Sequence, residues 1–203
     1  MSVRIRFADS ARDAARILAV YAPYIERTAV TFETEVPGAE AFAARGEGIA
    51  EAFPYLLLEI DGELAGYAYA HRQAERAADQ WNAELSIYLA EGFAHRGLGA
   101  PLYALLMRLL GMQGYVNLYA CITSSNAGSI ALHERMGFVR VGLFPDTGYK
   151  FGQWHGVVWL CRRLCDGAPG AVCPVGALDA EAVRAAILQA ENEISTRLSS
   201  KRP

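Results

Sequence analysis

Three stretches of the chain hold side chains able to do chemistry. In TSSNAGSIALHERMGF, residues 123–138, Asn126 precedes an apolar stripe, and His133 and Glu134 come late in a short helix. An imidazole exchanges protons near neutrality because its ordinary pKa is roughly 6.5. The same residues also describe a capped helix packed on a core, with Asn126 as N-cap and His133 on the buried face with Ile130 and Gly137. In AHRGLGA, residues 94–100, Gly97 and Gly99 let the main chain at a helix start approach an anion, favoured there by free N–H groups and the helix dipole. A plain tight turn would use the same glycines. In WNAELSIYL, residues 81–89, strand alternation puts Glu84, Ser86 and Tyr88 on one face and Leu85, Ile87 and Leu89 on the other. A carboxylate there either takes a proton in a reaction or faces solvent.

Some chemistry is excluded. HERMG lacks the second His of a zinc-protease helix. The glycine loop has neither the Gly-Lys-Ser/Thr ending of a P-loop nor the third glycine and ribose-binding acid of a dinucleotide fold, which leaves some other pyrophosphate.

Periodicity supplies the elements that must position these residues. VRIRF alternates as a first strand, and Asp9 or Ser10 can cap a helix carrying Ile17, Leu18, Tyr21 and Ile25. After a weaker helical stretch beyond Pro37, YLLLEI-DG-ELAGYAYA reads as a hairpin turning at Asp61-Gly62. AELSIYLA is a strand that runs through the glycine loop into a helix with Leu102, Leu105, Leu106 and Leu109 on its apolar side. VNLYACI, FVRVGLF and QWHGVVWLCRR read as further strands, with the helix NAGSIALHERM between the first two. Beyond Arg163, LCDGAPGAVCPVG is Pro/Gly-rich, and LDAEAVRAAILQAENEISTRL is a helix with a narrow stripe of Val183, Ile187, Ile194 and Leu198. Such a helix docks on its own domain or packs on a partner subunit.

At 203 residues and 53% apolar composition, the chain suits one domain with a substantial core. Net charge is -3 and charged residues are 20%, so no basic field gathers nucleic acid. The longest apolar runs fall far short of the roughly 20 residues that cross a bilayer, and MSVRIRFADS lacks a signal-peptide stretch, so a cytoplasmic protein without membrane contact is expected. Cys121, Cys161, Cys165 and Cys173 fit neither a zinc site nor a disulfide framework and read as reduced thiols.

Element order and motifs together resemble the GNAT acyltransferase superfamily, whose Gln/Arg-x-x-Gly-x-Gly/Ala loop binds the pyrophosphate of acetyl-CoA. Here the loop is Ala94-His95-Arg96-Gly97-Leu98-Gly99, with Ala94 where Gln or Arg is usual. Over roughly residues 3–162 the likeness is closer, to the phosphinothricin N-acetyltransferase subgroup, which also acts on methionine sulfoximine or sulfone. It rests on TFETEVP (31–37), YLLLEIDGELAGYAYA (55–70), WNAELSIYL, HRGLGAPLY (95–103), NAGSIALHERMGF (126–138) and GYKFGQWHGVVW (148–159).

The resemblance implies an α/β (α+β) GNAT fold: a central mixed, mostly antiparallel sheet, splayed at the acetyl-CoA site and flanked by helices. The acetyltransferase domain would span residues 1–164, followed by a linker at 165–177 and a C-terminal helix and tail at 178–203. The implied reaction moves acetyl from acetyl-CoA, as co-substrate, to the amino group of a small polar amino acid by direct attack, with no metal. Glu84 carries over as general base, with His133 sharing or relaying the proton. Ile87, Tyr88 and Leu89 offer strand N–H groups, His95, Arg96, Gly97, Leu98, Gly99 and Ala100 form the phosphate loop, and Asn126 and Ser129 lie by the pantetheine arm. Phe32, Arg72, Arg76, Ser86, Tyr88 and Thr123 are the substrate positions, Arg76 standing at the subgroup's arginine; Arg72 and Arg76 equally suit ordinary surface charge, and Ala74 and Asp79 stand where Lys and Tyr occur in close relatives. Cys121, read as buried, is not expected to carry the acetyl group. A homodimer is implied as well. Acetylation of another amine, such as a polyamine or a protein amino terminus, is the same-fold alternative; a non-catalytic acyl-CoA-binding module is the other.

Overall fold

VRIRF forms β1 (Val3–Phe7), and the Asp9 side chain accepts from the Arg12 N–H at 3.1 Å to start α1 (Ser10–Arg27). After α2 (Ala39–Ala52), β2 (Tyr55–Ile60) and β3 (Glu63–Arg72) turn at Asp61 and Gly62, both at positive φ, 51° and 87°, as a two-residue hairpin requires. Then come β4 (Asn82–Leu89), α3 (Gly99–Gln113), β5 (Asn117–Thr123), α4 (Ala127–Arg135), β6 (Val139–Lys150), β7 (Gln153–Arg163) and α5 (Ala180–Ser200). The computed structural model describes residues 1–200; the tail expected at 201–203 lies outside the described residues.

The seven strands form one sheet in the order β1-β2-β3-β4-β5-β7-β6, antiparallel at every step except β4 to β5. That step is parallel because α3 carries the chain back across the sheet between them. Only three residue pairs join the two strands, Asn82↔Asn117, Ala83↔Leu118 and Glu84↔Tyr119. From Leu85 onward β4 leaves β5 while it stays paired with β3 up to Gly66↔Leu89. The sheet is therefore split beside the far half of β4. Gly66 allows the close approach there: a Cβ on it would stand 2.5 Å from the Leu89 side chain and 2.6 Å from the Tyr88 carbonyl.

Helices cover both faces. Leu102, Leu106 and Leu109 of α3 are wholly buried against the sheet, each contributing roughly 1.5–3 kcal/mol by leaving water. α1 and α2 close the other face with Ile17, Tyr21, Ile25 and Phe42.

Two regions depart from the expectations, and a third, the C-terminal helix, takes the first of the two courses open to it. β6 does not end near Phe144 but runs on to Lys150, passing an irregularity between Phe144 and Gly148 and turning into β7 through Phe151 and Gly152. Pro145, Asp146 and Gly148 mimic a turn in the sequence, yet an edge strand tolerates a proline and a bulge. The segment 165–177 is strapped down: the Cys173 N–H donates to the Gln113 carbonyl at 2.9 Å, and Trp81 Nε1 donates to the Gly170 carbonyl at 2.7 Å. α5 lies on α3 and β1, burying Val183, Ala186, Ala190, Ile194 and Leu198, and Glu191 accepts the Ile5 N–H at 2.6 Å along the edge strand. Two alanines complete a face that large residues alone left narrow.

Candidate active site

Where the sheet splits, a cleft of about 770 Å³ opens between the far half of β4, the loop after it and α4. Ser86, Ile87, Tyr88 and Leu89 form one wall, His95, Gly97, Gly99 and Ala100 the end, and Asn126, Ser129 and His133 the opposite side. Most of the expected site residues thus meet in one place, although they come from three segments.

The end wall is built for an anion. α3 starts at Gly99 with Leu98 as its N-cap and no side-chain capping bond, so the Gly99 and Ala100 N–H groups stay free, while Pro101 has none to offer. His95 and Gly97 hold positive φ, 59° and 80°, folding the loop tightly ahead of the helix. Leu98 itself is fully buried, so its side chain belongs to the core and only its main chain can face a ligand. Arg96 turns onto the Phe93 ring, 5.5 Å from its centroid, and does not line the cleft. The cations that do line it are Arg135 and Arg197, neither singled out by the sequence.

Glu84 stands on the face shared with Ser86 and Tyr88, directly across from His71, whose Nε2 lies 3.9 Å from Glu84 Oε1. Burial pushes the Glu84 carboxyl above the ordinary glutamate range, and the His71 imidazole opposes that shift. A carboxyl so placed binds a proton more readily than one in water. On the same face the register sets Tyr69 across from Ser86 and Tyr67 across from Tyr88. A small cavity of about 50 Å³ adjoins them, where Glu33 and Arg45 pair at 2.6 Å among Tyr21, Tyr55 and Tyr69.

His133 has no free nitrogen. It is 2% exposed; Nδ1 is 2.8 Å from the Ser129 carbonyl and Nε2 is 2.8 Å from the Tyr103 hydroxyl. A neutral ring with its proton on Nδ1 satisfies both contacts, with Tyr103 donating to Nε2. Burial holds its pKa below the ordinary histidine value. The ring is therefore a fixed strut between α3 and α4, and the proton-moving role expected of it has no open path. Tyr103→Phe is expected to cost about 1–3 kcal/mol in chemical denaturation, because it leaves buried Nε2 unpaired. A histidine with a lowered folded pKa contributes no pH dependence while both states are neutral. Below about pH 6.5 the unfolded chain takes its proton first, so stability falls with pH until the folded pKa is passed. His133→Gln should lose that part of the pH dependence.

The remaining substrate positions divide. Phe32 lies against Gly148, where a Cβ would stand 2.5 Å from its ring, and Lys150 Nζ donates to the Thr31 carbonyl at 2.8 Å, pinning the same loop. Thr123 is buried and donates to the Ala29 carbonyl at 2.7 Å, so its hydroxyl anchors that loop rather than facing the cleft. Arg72 and Arg76 are exposed at the end of β3 and just after it, outside the cleft. Cys121 corrects the sequence reading: the split uncovers it, and it lies exposed in the cleft. Its crowded setting and the nearby Glu84 charge push its thiol up to about 11.

Among the described residues no three His, Cys, Asp or Glu side chains converge to hold a metal ion, and no helix is long and apolar enough to cross a membrane.

Comparison with known proteins agrees with this geometry. The family model described as an acetyltransferase (GNAT) domain matches residues 5–159. The phosphinothricin N-acetyltransferase of Streptomyces viridochromogenes is 34% identical over 155 residues, 76% of this chain and 84% of that protein. The L-methionine sulfoximine/L-methionine sulfone acetyltransferase of Pseudomonas aeruginosa is 35% identical over 166 residues, 81% of this chain and 96% of that one. Among solved structures, a phosphinothricin acetyltransferase from Sinorhizobium meliloti in complex with AcCoA superposes with a TM-score of 0.77 at 30% identity, covering 89% of this chain and 97% of that one.

Proposed function

The chain belongs to the GNAT acetyltransferase family, and from that premise we propose that it transfers acetyl from acetyl-CoA to the amino group of a small polar amino acid of the phosphinothricin or methionine sulfoximine type. One observation carries the reading: the strand bearing the proton-avid Glu84 is the strand that splits from its neighbour and opens onto the glycine loop. Acetyl-CoA supplies an activated acetyl thioester. The cleft fits it, with free N–H groups and the Arg197 cation at the glycine loop and an apolar wall of Ile87, Leu89 and Leu132 for the arm.

Glu84 is the general base in this reading. An ammonium cannot attack until it loses a proton, and Glu84 accepts that proton directly or through water. The far half of β4, unpaired on its β5 side, offers main-chain N–H to the carbonyl oxygen as negative charge builds there. Asn126 accepts from the Ser129 N–H at 3.1 Å, which starts α4 and fixes the wall beside the pantetheine arm. Ser86, Tyr88 and Phe32 border the amine side, and the neighbouring Glu33–Arg45 pair suits a substrate carrying both charges. Direct transfer is supported over transfer through Cys121, because a thiol whose pKa is pushed up to about 11 stays protonated at neutrality. His133 shapes the pocket.

Two wider readings accompany this one. A cytoplasmic location accords with four free cysteines. A homodimer is supported by an exposed apolar stretch on the β6–β7 hairpin, including Val139, Val141, Leu143, Phe144 and Trp154.

The test is a panel of amines with acetyl-CoA and a thiol reagent. CoA release is expected with phosphinothricin, methionine sulfoximine or methionine sulfone. Release only with a polyamine or a peptide amino terminus would move the activity to another amine, and none with any amine would leave a binding module.

A further inference from the structure

The family model ends at residue 159, yet a side chain near the end of α5 reaches the phosphate loop. Arg197 Nη1 donates to the Gly97 carbonyl at 3.1 Å across 100 residues of sequence, and its guanidinium lines the cleft beside His95, Gly97 and Gly99. We infer that Arg197 is a cofactor-binding residue that contacts the pyrophosphate of acetyl-CoA, and that α5 thereby forms part of the cofactor site. The inference rests on the acetyl-CoA reading of the cleft.

Three features support it. First, the guanidinium is held in place: Nη2 pairs with Glu193 one turn back at 2.7 Å, and Ile194 and Leu198 on the same helix are buried in the core. A cation positioned before the ligand arrives loses little side-chain freedom on binding. Second, two of its five N–H donors are engaged by protein, which leaves others for phosphate oxygens. Third, a carbonyl oxygen beside an anion repels it, and Arg197 caps the Gly97 carbonyl, offsetting that repulsion at the loop. Arg96, the cation the loop itself carries, is turned onto Phe93 and leaves this place open.

The pyrophosphate is preferred to the 3′-phosphate because Arg197 is bonded to the loop that leads into the free N–H groups of α3. A half-exposed guanidinium making a charge-assisted contact should change affinity by roughly five- to tenfold.

Calorimetric titration of CoA and 3′-dephospho-CoA into wild type, Arg197→Gln and Arg197→Lys reads this without turnover. The expected result is a roughly five- to tenfold weaker Kd for both ligands in Arg197→Gln, partly recovered in Arg197→Lys. As a second readout, kcat/KM should fall for acetyl-CoA and hold for acetyl-pantetheine, which has no pyrophosphate. Unchanged affinity in Arg197→Gln would overturn the inference. So would a loss confined to CoA, which points to the 3′-phosphate, or an equal loss with acetyl-pantetheine, which points to a structural staple. Wild type failing to bind CoA at all would instead overturn the reading of the cleft.

Discussion

Glu84→Gln is expected to lower kcat/KM by about 10²–10⁴-fold while the affinity for CoA stays within a few-fold. The two effects separate because Glu84 lies before the split and does not line the cofactor cleft. Burial raises its carboxyl pKa, so the acid limb of the kcat/KM profile should stand above the roughly 4.3 of an ordinary glutamate, and the Gln variant should lose that limb. Stability should move the other way. A carboxyl with a raised folded pKa binds its proton more tightly in the folded state, so stability grows as pH falls through that pKa toward the unfolded value. Above it the buried charge weighs against the fold, and Gln, which never ionises, should be somewhat more stable at neutral pH. Steady-state rates across pH and denaturation of the same variant check both halves. A near-normal rate at every pH would remove Glu84 from the chemistry.

How legible this was in the sequence depended on the distance between interacting residues. Alternation along β4 is a local property, and it alone sorted Glu84, Ser86 and Tyr88 from Leu85 and Ile87. Asp61-Gly62 and the Asn126 cap are equally local: each is a residue type matched to the φ or the free N–H beside it. What the sequence concealed was partnership. Tyr103 engages His133 from 30 residues away, and only that bond turns a plausible proton carrier into a strut. Cys121 looked buried because an alternating apolar strand predicts a covered neighbour, whereas the split leaves it uncovered. Arg197 could not be associated with Gly97 by any pattern, since they meet only once α5 has docked.

The split also explains why so few residues must be polar for the cleft to be a polar binding site. In an ordinary sheet, both edges of a central strand are consumed by neighbours. Here the far half of β4 keeps its β3 partner and gives up β5, so main chain supplies donors that side chains would otherwise have to provide. Glu84 sits at the last paired residue, Glu84↔Tyr119, where the strand is still paired on both sides. The base proposed at Glu84 would thus be kept in register with the main-chain N–H groups that begin just beyond it.

Ile194→Asp is expected to destabilise the protein by about 5 kcal/mol, a large share of the roughly 5–15 kcal/mol that holds a domain folded. Ile194 is wholly buried in the core that α3 and the sheet share with α5, and an unpaired carboxylate there would lose both the apolar contacts and its hydration. The conservative Ile194→Val should cost only about 0.5–1.5 kcal/mol. Chemical denaturation of the two variants separates two views of α5. If α5 is an accessory that happens to rest on a complete domain, Ile194→Asp releases it and leaves the unfolding midpoint of the rest near its wild-type value. If it is part of the core, the whole domain unfolds earlier in one transition, and CoA affinity falls with it because Arg197 leaves the loop. The second outcome is expected: α5 buries five residues against the domain, and Glu191 bonds the main chain of the edge strand.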